Sequence, residues 1–298
     1  MAATNVFVTD CAFAVMESLA KTLRNSMGLL GIAHKEILNE GEYARKVPLP
    51  GAVTASTRAI NAVLPTGQQP TDTAVTLTPV LEYTGAIGVD RLTQAATEIT
   101  IRNVYAPMLS AAIITNINTA LWALVTTGNF TNTAIGTAGA SPDITILAQA
   151  RKSLWDAKCS DMANLYAVIG GEEGQVWRPS LKYNEFGPAG QEALTSGRLP
   201  NAFGFKIVED QQRLTSGTTA VNLCLHPLAL MVGFRSTLAG RGYPMGQATD
   251  PDSGLTIFVE ESPMDNSSNG VGTQLTACVI ADVKVGYAAW GTILYGAV

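Results

Sequence analysis

Residues 97–125 read TEITIRNVYAPMLSAAIITNINTALWALV, and no charged residue follows Pro107 in this stretch. Its apolar residues recur at intervals of three and four, which is typical of one buried face of a helix. The pattern predicts a long helix that begins near Ile101 and ends near the Gly128–Asn129 stop signal. A helix of about 25 residues is about 38 Å long, so we call it the spine helix. The residues of the predicted buried face are Ala106, Leu109, Ile113, Ile117, Ala120 and Leu124.

The uncharged run has two other interpretations, a membrane-spanning helix and an ordinary core helix of a soluble enzyme. A span needs about 20 predominantly apolar residues. Pro107, Asn116, Asn118 and several threonines interrupt this run, and no basic cluster follows it. We therefore expect no membrane partner, while the choice between a structural spine and an enzyme core depends on the rest of the chain.

The chain is poor in charged residues. Of its 298 residues 47% are hydrophobic and only 14% are charged, against about a quarter in an average protein. A surface with so little charge indicates that much of it lies against other chains. The net charge of −5 argues against a protein that reads nucleic acid, which needs a basic face.

The cysteines and the N-terminus indicate an intracellular protein. Four cysteines, Cys11, Cys159, Cys224 and Cys278, are scattered without metal-binding spacing, so we expect free thiols in a reducing compartment. Residues 1–10 lack a basic region before an apolar stretch, so no signal peptide is predicted.

The chain before the spine helix divides into two parts. An apolar stripe predicts an amphipathic helix over residues 10–30, either an arm that docks on a neighbour or a first core helix. Residues 36–85 are rich in Pro, Thr, Val and Gly and predict an extended β-hairpin, with strands at Ala44–Val47 and Val75–Leu81. An insertion loop is the alternative, because a long excursion inside a compact domain is uncommon.

The chain after the spine helix predicts an α/β unit followed by a β unit. Helices from Asp143 and from Glu172 to Leu181 alternate with strands at Asn164–Ile169, Gly204–Val208 and Val221–Leu225. Alternating apolar residues at Leu255–Val259 and Leu275–Val285 predict half-buried antiparallel strands. We expect this sheet beside the spine helix, with the α/β unit inserted between the two halves.

No catalytic, cofactor or metal site is predicted. The only histidines, His34 and His226, have no Cys, Asp or Glu partner at ligand spacing, and no phosphate-loop, zinc-protease or nucleophile-elbow motif is present.

Several short motifs, in order along nearly the whole chain, resemble those of tailed-phage major capsid proteins with the HK97-type fold, and most closely the P22-like coat proteins. Tyr105, Ala106 and Pro107 resemble the stretch that opens the family's spine helix, although Asn118 stands where the family suggests Asp. The other matching segments are Gln69–Leu81, Asp90–Leu92, Gly197–Leu199, Gly204–Ile207 and Leu223–Leu230, the last with Leu and Cys in place of aromatic residues.

The resemblance implies an α+β fold of the HK97 type in five parts. These are an N-terminal arm (1–35), an extended loop (36–85), a peripheral domain with the spine helix (86–144), an inserted α/β axial domain (145–238) and the return strands of the peripheral domain (239–298). It also implies a major capsid protein, not an enzyme, whose pentamers and hexamers close into an icosahedral shell around double-stranded DNA. The implied location is the virion capsid, assembled in the host cytoplasm.

The resemblance further implies partners. Copies of the chain would contact one another through the arm and the extended loop, and the candidate interface residues are Phe13, Met16, Tyr43, Arg45, Val47, Leu49 and Val53. The other implied partners are a portal protein, a decoration or cement protein, and DNA that is held non-specifically. Because no long helical extension precedes the arm, we expect a separate scaffolding protein and no N-terminal maturation cleavage. We also expect no covalent Lys–Asn crosslink between subunits.

Two alternatives stay open at this point. An encapsulin-like nanocompartment shares the implied fold but encloses protein cargo. A soluble α/β enzyme would form a small oligomer and carry a polar pocket with perturbed titratable groups.

Overall fold

The computed structural model describes residues 14–18, 28–39, 42–49, 60, 73–90, 105–180, 199, 201–235, 245–249, 256–266 and 270–298. The helices are α1 (Leu29–Ile32), α2 (Ala106–Ala123), α3 (Ile146–Asp156) and α4 (Gly171–Ser180), and residues 14–18 are also helical. The strands are β1 (His34–Leu38), β2 (Arg45–Leu49), β3 (Thr73–Leu77), β4 (Leu81–Asp90), β5 (Leu165–Ile169), β6 (Phe205–Glu209), β7 (Thr215–Ser216), β8 (Thr219–Leu225), β9 (Leu230–Arg235), β10 (Met245–Thr249), β11 (Thr256–Asn266), β12 (Gly270–Val285) and β13 (Gly291–Ala297). Short 3-10 helices occupy Pro227–Ala229 and Ala288–Trp290.

The long strand β12 organises the larger sheet. This sheet has six strands in the order β1-β9-β12-β11-β10, with β4 also paired to β12. The predicted antiparallel strands are confirmed, since β12 pairs with β11, β4 and β9 in antiparallel register. Leu275, Ala277, Val279 and Ala281 are at most 2% exposed, as their alternation predicts. The opposite face is less exposed than expected, because Phe258, Cys278 and Ile280 form a small buried cluster there.

The spine helix is α2, which packs against β4 and β12. Leu109, Ile113 and Ile117 of the predicted face are buried. Further along the helix Leu121 is buried, whereas the predicted Ala120 and Leu124 are half-buried. Its predicted end was wrong, because α2 stops at Ala123 and its last turn tightens: the Val125 N–H donates to the Trp122 carbonyl at 2.9 Å. The 18 helical residues span about 27 Å. The predicted start at residues 101–104 lies outside the described residues.

The smaller sheet confirms the predicted α/β unit. Its main path is β13-β8-β5-β6, and β7 pairs with β8. The parallel pairing of β5 with β6 encloses α4 in the connection between them. Both α3 and α4 contribute to one core cluster on a face of this sheet, through Leu147, Leu154 and Trp177. The other face, including Val168 and Leu223, joins the core that also holds the spine helix.

Two strands lie in different sheets from those the sequence suggested. We expected residues 145–238 to form the axial unit, but β9 pairs with β1 and β12 in the larger sheet. We expected residues 239–298 to return to the peripheral sheet, but β13 pairs with β8 in the smaller one. The cause is that an apolar strand shows which residues are buried and not which partner supplies the hydrogen bonds. The chain passes from the larger to the smaller sheet through the long connection between β4 and β5, which contains the spine helix. It then crosses directly through each 3-10 helix, at a first crossing from β8 to β9 and a second from β12 to β13. The remaining boundaries stay predictions.

The predicted helix over residues 10–30 is interrupted. Gly28 has extended backbone angles, φ −91° and ψ −176°, and starts the separate helix α1. A Cβ atom at Gly28 would lie 2.8 Å from the Asn118 side chain and 2.9 Å from that of Asp210, so only glycine fits this approach. Most of the predicted apolar stripe, including Phe13, lies outside the described residues.

Candidate functional site

The described residues contain no group of three or more His, Cys, Asp and Glu side chains that would hold a metal ion. Each histidine does have one acidic neighbour, which sequence spacing did not reveal. His34 Nε2 lies 3.0 Å from Glu36, and His226 Nε2 lies 4.0 Å from Asp161. Glu36 also pairs with Arg45, whose Nε lies 3.4 Å from it. No helix in the described part of the chain is long and apolar enough to cross a membrane.

His226 is a structural residue at the first crossing between the sheets. It is 6% exposed, its Nδ1 accepts the Leu228 N–H at 3.3 Å, and its ring meets Trp290 edge-on at 5.2 Å. Burial lowers the pKa of His226 below 6.5, and the Asp161 carboxylate partly opposes this shift. The folded chain therefore favours the neutral form of the His226 ring.

The cysteines that the structure describes are Cys159, Cys224 and Cys278, and all three are buried. Burial raises the pKa of the Cys224 thiol far above its usual range. Such a thiol stays protonated and is not a nucleophile.

The base of the extended loop is an antiparallel pair of strands, β2 and β3, with Val47 opposite Val75. It is anchored on the larger sheet by a cluster of Leu49, Leu77 and Met231, against which Val47 and Val75 pack. The hairpin is thus confirmed at its base. Of residues 50–72 the structure describes only Ile60, which is 92% exposed.

The candidate interface residues fall into four groups. Met16 and Leu49 are buried within the chain's own core, at 5% and 6% exposure. Tyr43 is 62% exposed, and Val47 is half-buried. Arg45 is held inside the chain, because it donates to the Ile37 carbonyl at 2.5 Å and lies 3.4 Å from Glu36. Phe13 and Val53 lie outside the described residues. Contact of these side chains with a second copy stays a prediction.

A buried carboxylate joins the spine helix, α1 and the smaller sheet. Asp210 follows β6 and is 7% exposed. Its Oδ2 accepts hydrogen bonds from Asn118 Nδ2 at 2.8 Å, Trp122 Nε1 at 2.8 Å and the Leu29 N–H at 3.3 Å. Its Oδ1 accepts the Gln212 N–H at 2.9 Å. We call Asp210 and these four donors the Asp210 junction.

Asn118 is the connecting member of this junction. Its Nδ2 donates to Gln212 Oε1 at 2.8 Å as well as to Asp210, and its Oδ1 accepts the Leu30 N–H at 3.1 Å. The side chain therefore satisfies an amide of the first turn of α1, which has no partner inside that helix. The only sequence signal for the junction was an Asn on the buried face of an apolar helix.

A second buried polar group lies three residues after Asp210. Arg213 pairs with Glu173 of α4, donates to Asn222 of β8 at 3.0 Å and donates to the Ala297 carbonyl of β13 at 2.9 Å. Glu173 is fully buried. The loop after β6 thus fixes both the internal order of the axial unit and its attachment to the spine helix.

Comparison with solved structures identifies the fold. A structure from Mycobacterium phage Che8 matches with a TM-score of 0.56 and 16% identity, over 85% of this chain and 84% of that one. The capsid of cyanophage P-SCSP1u matches with a TM-score of 0.59 and 13% identity, over 89% and 86%. A virus-like particle from Pyrococcus furiosus matches with a TM-score of 0.55 and 10% identity, over 94% and 98%.

These likenesses confirm the expected HK97-type capsid fold for this chain. No protein-family model matches the sequence. No curated protein matches it either.

Proposed function

We propose that this chain is the major capsid protein of a tailed phage, which assembles as pentamers and hexamers into an icosahedral shell around double-stranded DNA. The observation that carries the proposal is the match of nearly its whole length to nearly the whole length of phage capsid chains. These matches cover 89% of this chain and 86% of each capsid chain.

The chemistry of the described residues supports a structural role. The two His–carboxylate pairs and the buried thiols offer no constellation of nucleophile, base and oxyanion donor. The low charge of 14% fits a chain that lies against its own copies. The exposed side of α2 adds to this, because the exposed residues Met108, Ala111, Thr115 and Asn116 are all uncharged.

The extended loop supplies the principal contact between copies in this proposal. Its base is fixed by the cluster of Leu49, Leu77 and Met231, so the hairpin leaves the domain at a defined place. Tyr43 and Val47 then present apolar surface to a neighbouring subunit. Arg45 sets the orientation of the hairpin through its bonds to β1, and its side chain, which is 37% exposed, stays a candidate contact with the neighbour.

The remaining parts of the proposal rest on the sequence motifs. The P22-like subgroup, a separate scaffolding protein, a portal, decoration proteins and assembly in the host cytoplasm all follow from that resemblance. Packaged DNA would meet the shell by proximity only, because a net charge of −5 does not favour binding to phosphates.

The test is sedimentation velocity of the purified chain, with and without the candidate scaffolding protein, and negative-stain microscopy of the fastest fraction. We expect hollow particles of megadalton mass. Nuclease-protected DNA in particles from infected cells supports the phage assignment, whereas protein cargo supports an encapsulin-like compartment. A small, discrete oligomer that never assembles contradicts the proposal.

A further inference from the structure

Two large aromatic side chains are exposed on the outer side of the axial unit. Trp155, near the end of α3, is 69% exposed, and Phe203, just before β6, is 40% exposed. With Ala148, Arg151 and Lys152 they line a shallow open recess, which we call the Trp155 face. The core side of α3 is already filled by Leu147, Ala150 and Leu154, so folding does not require Trp155 to be aromatic. Adjacent exposed aromatic residues mark interaction surfaces.

The backbone at Phe203 strengthens this interpretation. Phe203 has φ +51° and Gly204 has φ +81°, and both lie in the left-handed region. Ala202 and Phe205 exchange two hydrogen bonds across them, at 3.1 and 2.9 Å, so this is a two-residue turn of the type that favours Asn-Gly. A bulky residue at the first position is unfavourable for folding. An exposed ring kept there at a cost to stability indicates a use outside the subunit.

A second exposed surface on the same unit complements the Trp155 face. On the outer side of α4, Val176 is 44% exposed and Glu172 is exposed, which gives an apolar side chain beside an acidic one. The Trp155 face offers the opposite charge, because Arg151 and Lys152 together outnumber Asp156, with which the 77% exposed Lys152 side chain pairs at 2.5 Å. We call Glu172 and Val176 the Glu172 face.

The two faces lie at different ends of α3. Trp177 Nε1 of α4 donates to the Pro142 carbonyl at 2.7 Å, which places α4 near the N-terminal end of α3. Trp155 lies at the other end of that helix, about 16 Å away along its axis. One copy therefore cannot join its own two faces. A contact between unlike faces of successive copies is heterologous, and such contacts form a ring where the rotation between copies closes.

We propose that the Trp155 face of one copy binds the Glu172 face of a second copy, with Trp155 and Phe203 packing on Val176 and Lys152 opposite Glu172. This inference rests on the proposed function, since it assigns a specific contact within its ring-shaped capsomers. Phe203 is a residue whose side chain serves association at the expense of the single subunit.

The first test separates association from folding, because one substitution should raise the stability of the subunit and lower the yield of shells. Phe203→Asn places the residue that the turn favours, so we expect a thermal midpoint a few degrees higher for the subunit and at least a tenfold lower yield of shells. Trp155→Ser should lower the shell yield without lowering the midpoint. Val298→Ser is the control, because Val298 is 56% exposed but lies outside both faces.

The second test exchanges the charges. Lys152→Glu and Glu172→Lys should each lower the shell yield, and the double variant should recover most of it, because the heterologous contact then again sets opposite charges against each other, with their signs reversed. A double variant no better than either single variant overturns the proposed pairing. Wild-type yields from both Phe203→Asn and Trp155→Ser overturn the interface itself, while shells from the wild-type chain leave the proposed function intact. Failure of the wild-type chain to form shells contradicts the proposed function instead.

Discussion

Replacing Asn118 by Asp should destabilise the subunit strongly, although the two side chains have nearly the same shape. Asn118 Nδ2 donates at 2.8 Å both to Asp210 Oδ2 and to Gln212 Oε1. An aspartate has no donor for either oxygen, and it sets a second carboxylate within hydrogen-bond distance of the first. Asn118 is 4% exposed and Asp210 is 7% exposed, so water cannot screen the repulsion.

The magnitude follows from these contacts. Leaving buried acceptors without a donor costs about 1–3 kcal/mol each, more where the group is charged. Breaking a buried charged network typically costs about 3–5 kcal/mol, so we expect Asn118→Asp to lower the free energy of unfolding by about 4 kcal/mol at pH 7. The loss should shrink as the pH falls, because two adjacent carboxylates come to share a proton, and that proton restores a donor between them.

The assay is urea unfolding of the subunit at pH 7 and at pH 5, followed by tryptophan fluorescence, since Trp122 belongs to the junction. Asn116→Asp is a matched control on the same helix. Asn116 is exposed and donates only at 3.4 Å to the Thr84 carbonyl, so the change there should cost less than about 0.5 kcal/mol. Equal stability of the two variants at pH 7 would refute the role assigned to Asn118.

Three further predictions concern the spine helix, the extended loop and the first crossing between the sheets. Ile113→Pro removes a backbone donor in the middle of α2 and should leave no folded subunit, as circular dichroism would show; a folded variant would contradict the packing of α2. Val47→Asp should give soluble subunits that do not form shells in sedimentation velocity. Thr76→Asp, on the exposed side of the same hairpin, should assemble. Normal shells from Val47→Asp would show that the loop does not lie at the interface. His226→Gln should reduce the loss of stability in acid. The folded-state pKa of His226 lies below 6.5, so the unfolded chain binds the proton first as the pH falls. The contribution of the neutral ring to stability is therefore present above pH 6.5 and is lost as the pH falls through the lower folded-state pKa. An unchanged slope of unfolding free energy against pH between 7 and 5 would assign the acid sensitivity to other groups.

The spacing of apolar residues predicted correctly which face of a single helix or strand is buried. The buried side of α2 and the inward residues of β12 follow directly from spacings of three or four and of two. Partner choice did not follow, because β9 and β13 are apolar on both faces and would satisfy either sheet. The end of α2 was also missed, since the side chain of Asn129, which takes no part in the apolar pattern, donates to the Leu124 carbonyl and helps to close the last turn.

The Asp210 junction could not have been predicted, because its three segments, around Leu29, Asn118 and Asp210, are about 90 to 180 positions apart in the sequence. A lone Asn on a buried helix face signals an unknown polar partner and does not say which one. The same holds for Phe203, whose unusual backbone angle cannot be recognised in the letters Phe-Gly without knowing that Ala202 and Phe205 pair around them.

The geometry of the junction also explains why the chain carries its buried charge at position 210 and an amide at 118. Asp210 Oδ2 takes donors from three separate residues on two elements, namely Leu29 of α1 and both Asn118 and Trp122 of α2. In a swapped variant, Asn118→Asp with Asp210→Asn, the single amide oxygen at 210 cannot replace two carboxylate oxygens. If the new amide nitrogen turns towards position 118, the donors of Leu29 and Trp122 face another donor.

The swapped variant should therefore regain only the stability that the repulsion between two carboxylates had cost. We expect it to be more stable than Asn118→Asp alone, yet to remain below the wild-type chain by about 1–3 kcal/mol for each donor left unsatisfied. A double variant as stable as the wild-type chain would mean that the two positions form a simple exchangeable pair. Retention of the deficit would mean that the carboxylate is needed at 210 because only there do three donors converge on one oxygen, so that the axial unit, the spine helix and α1 hold their positions together.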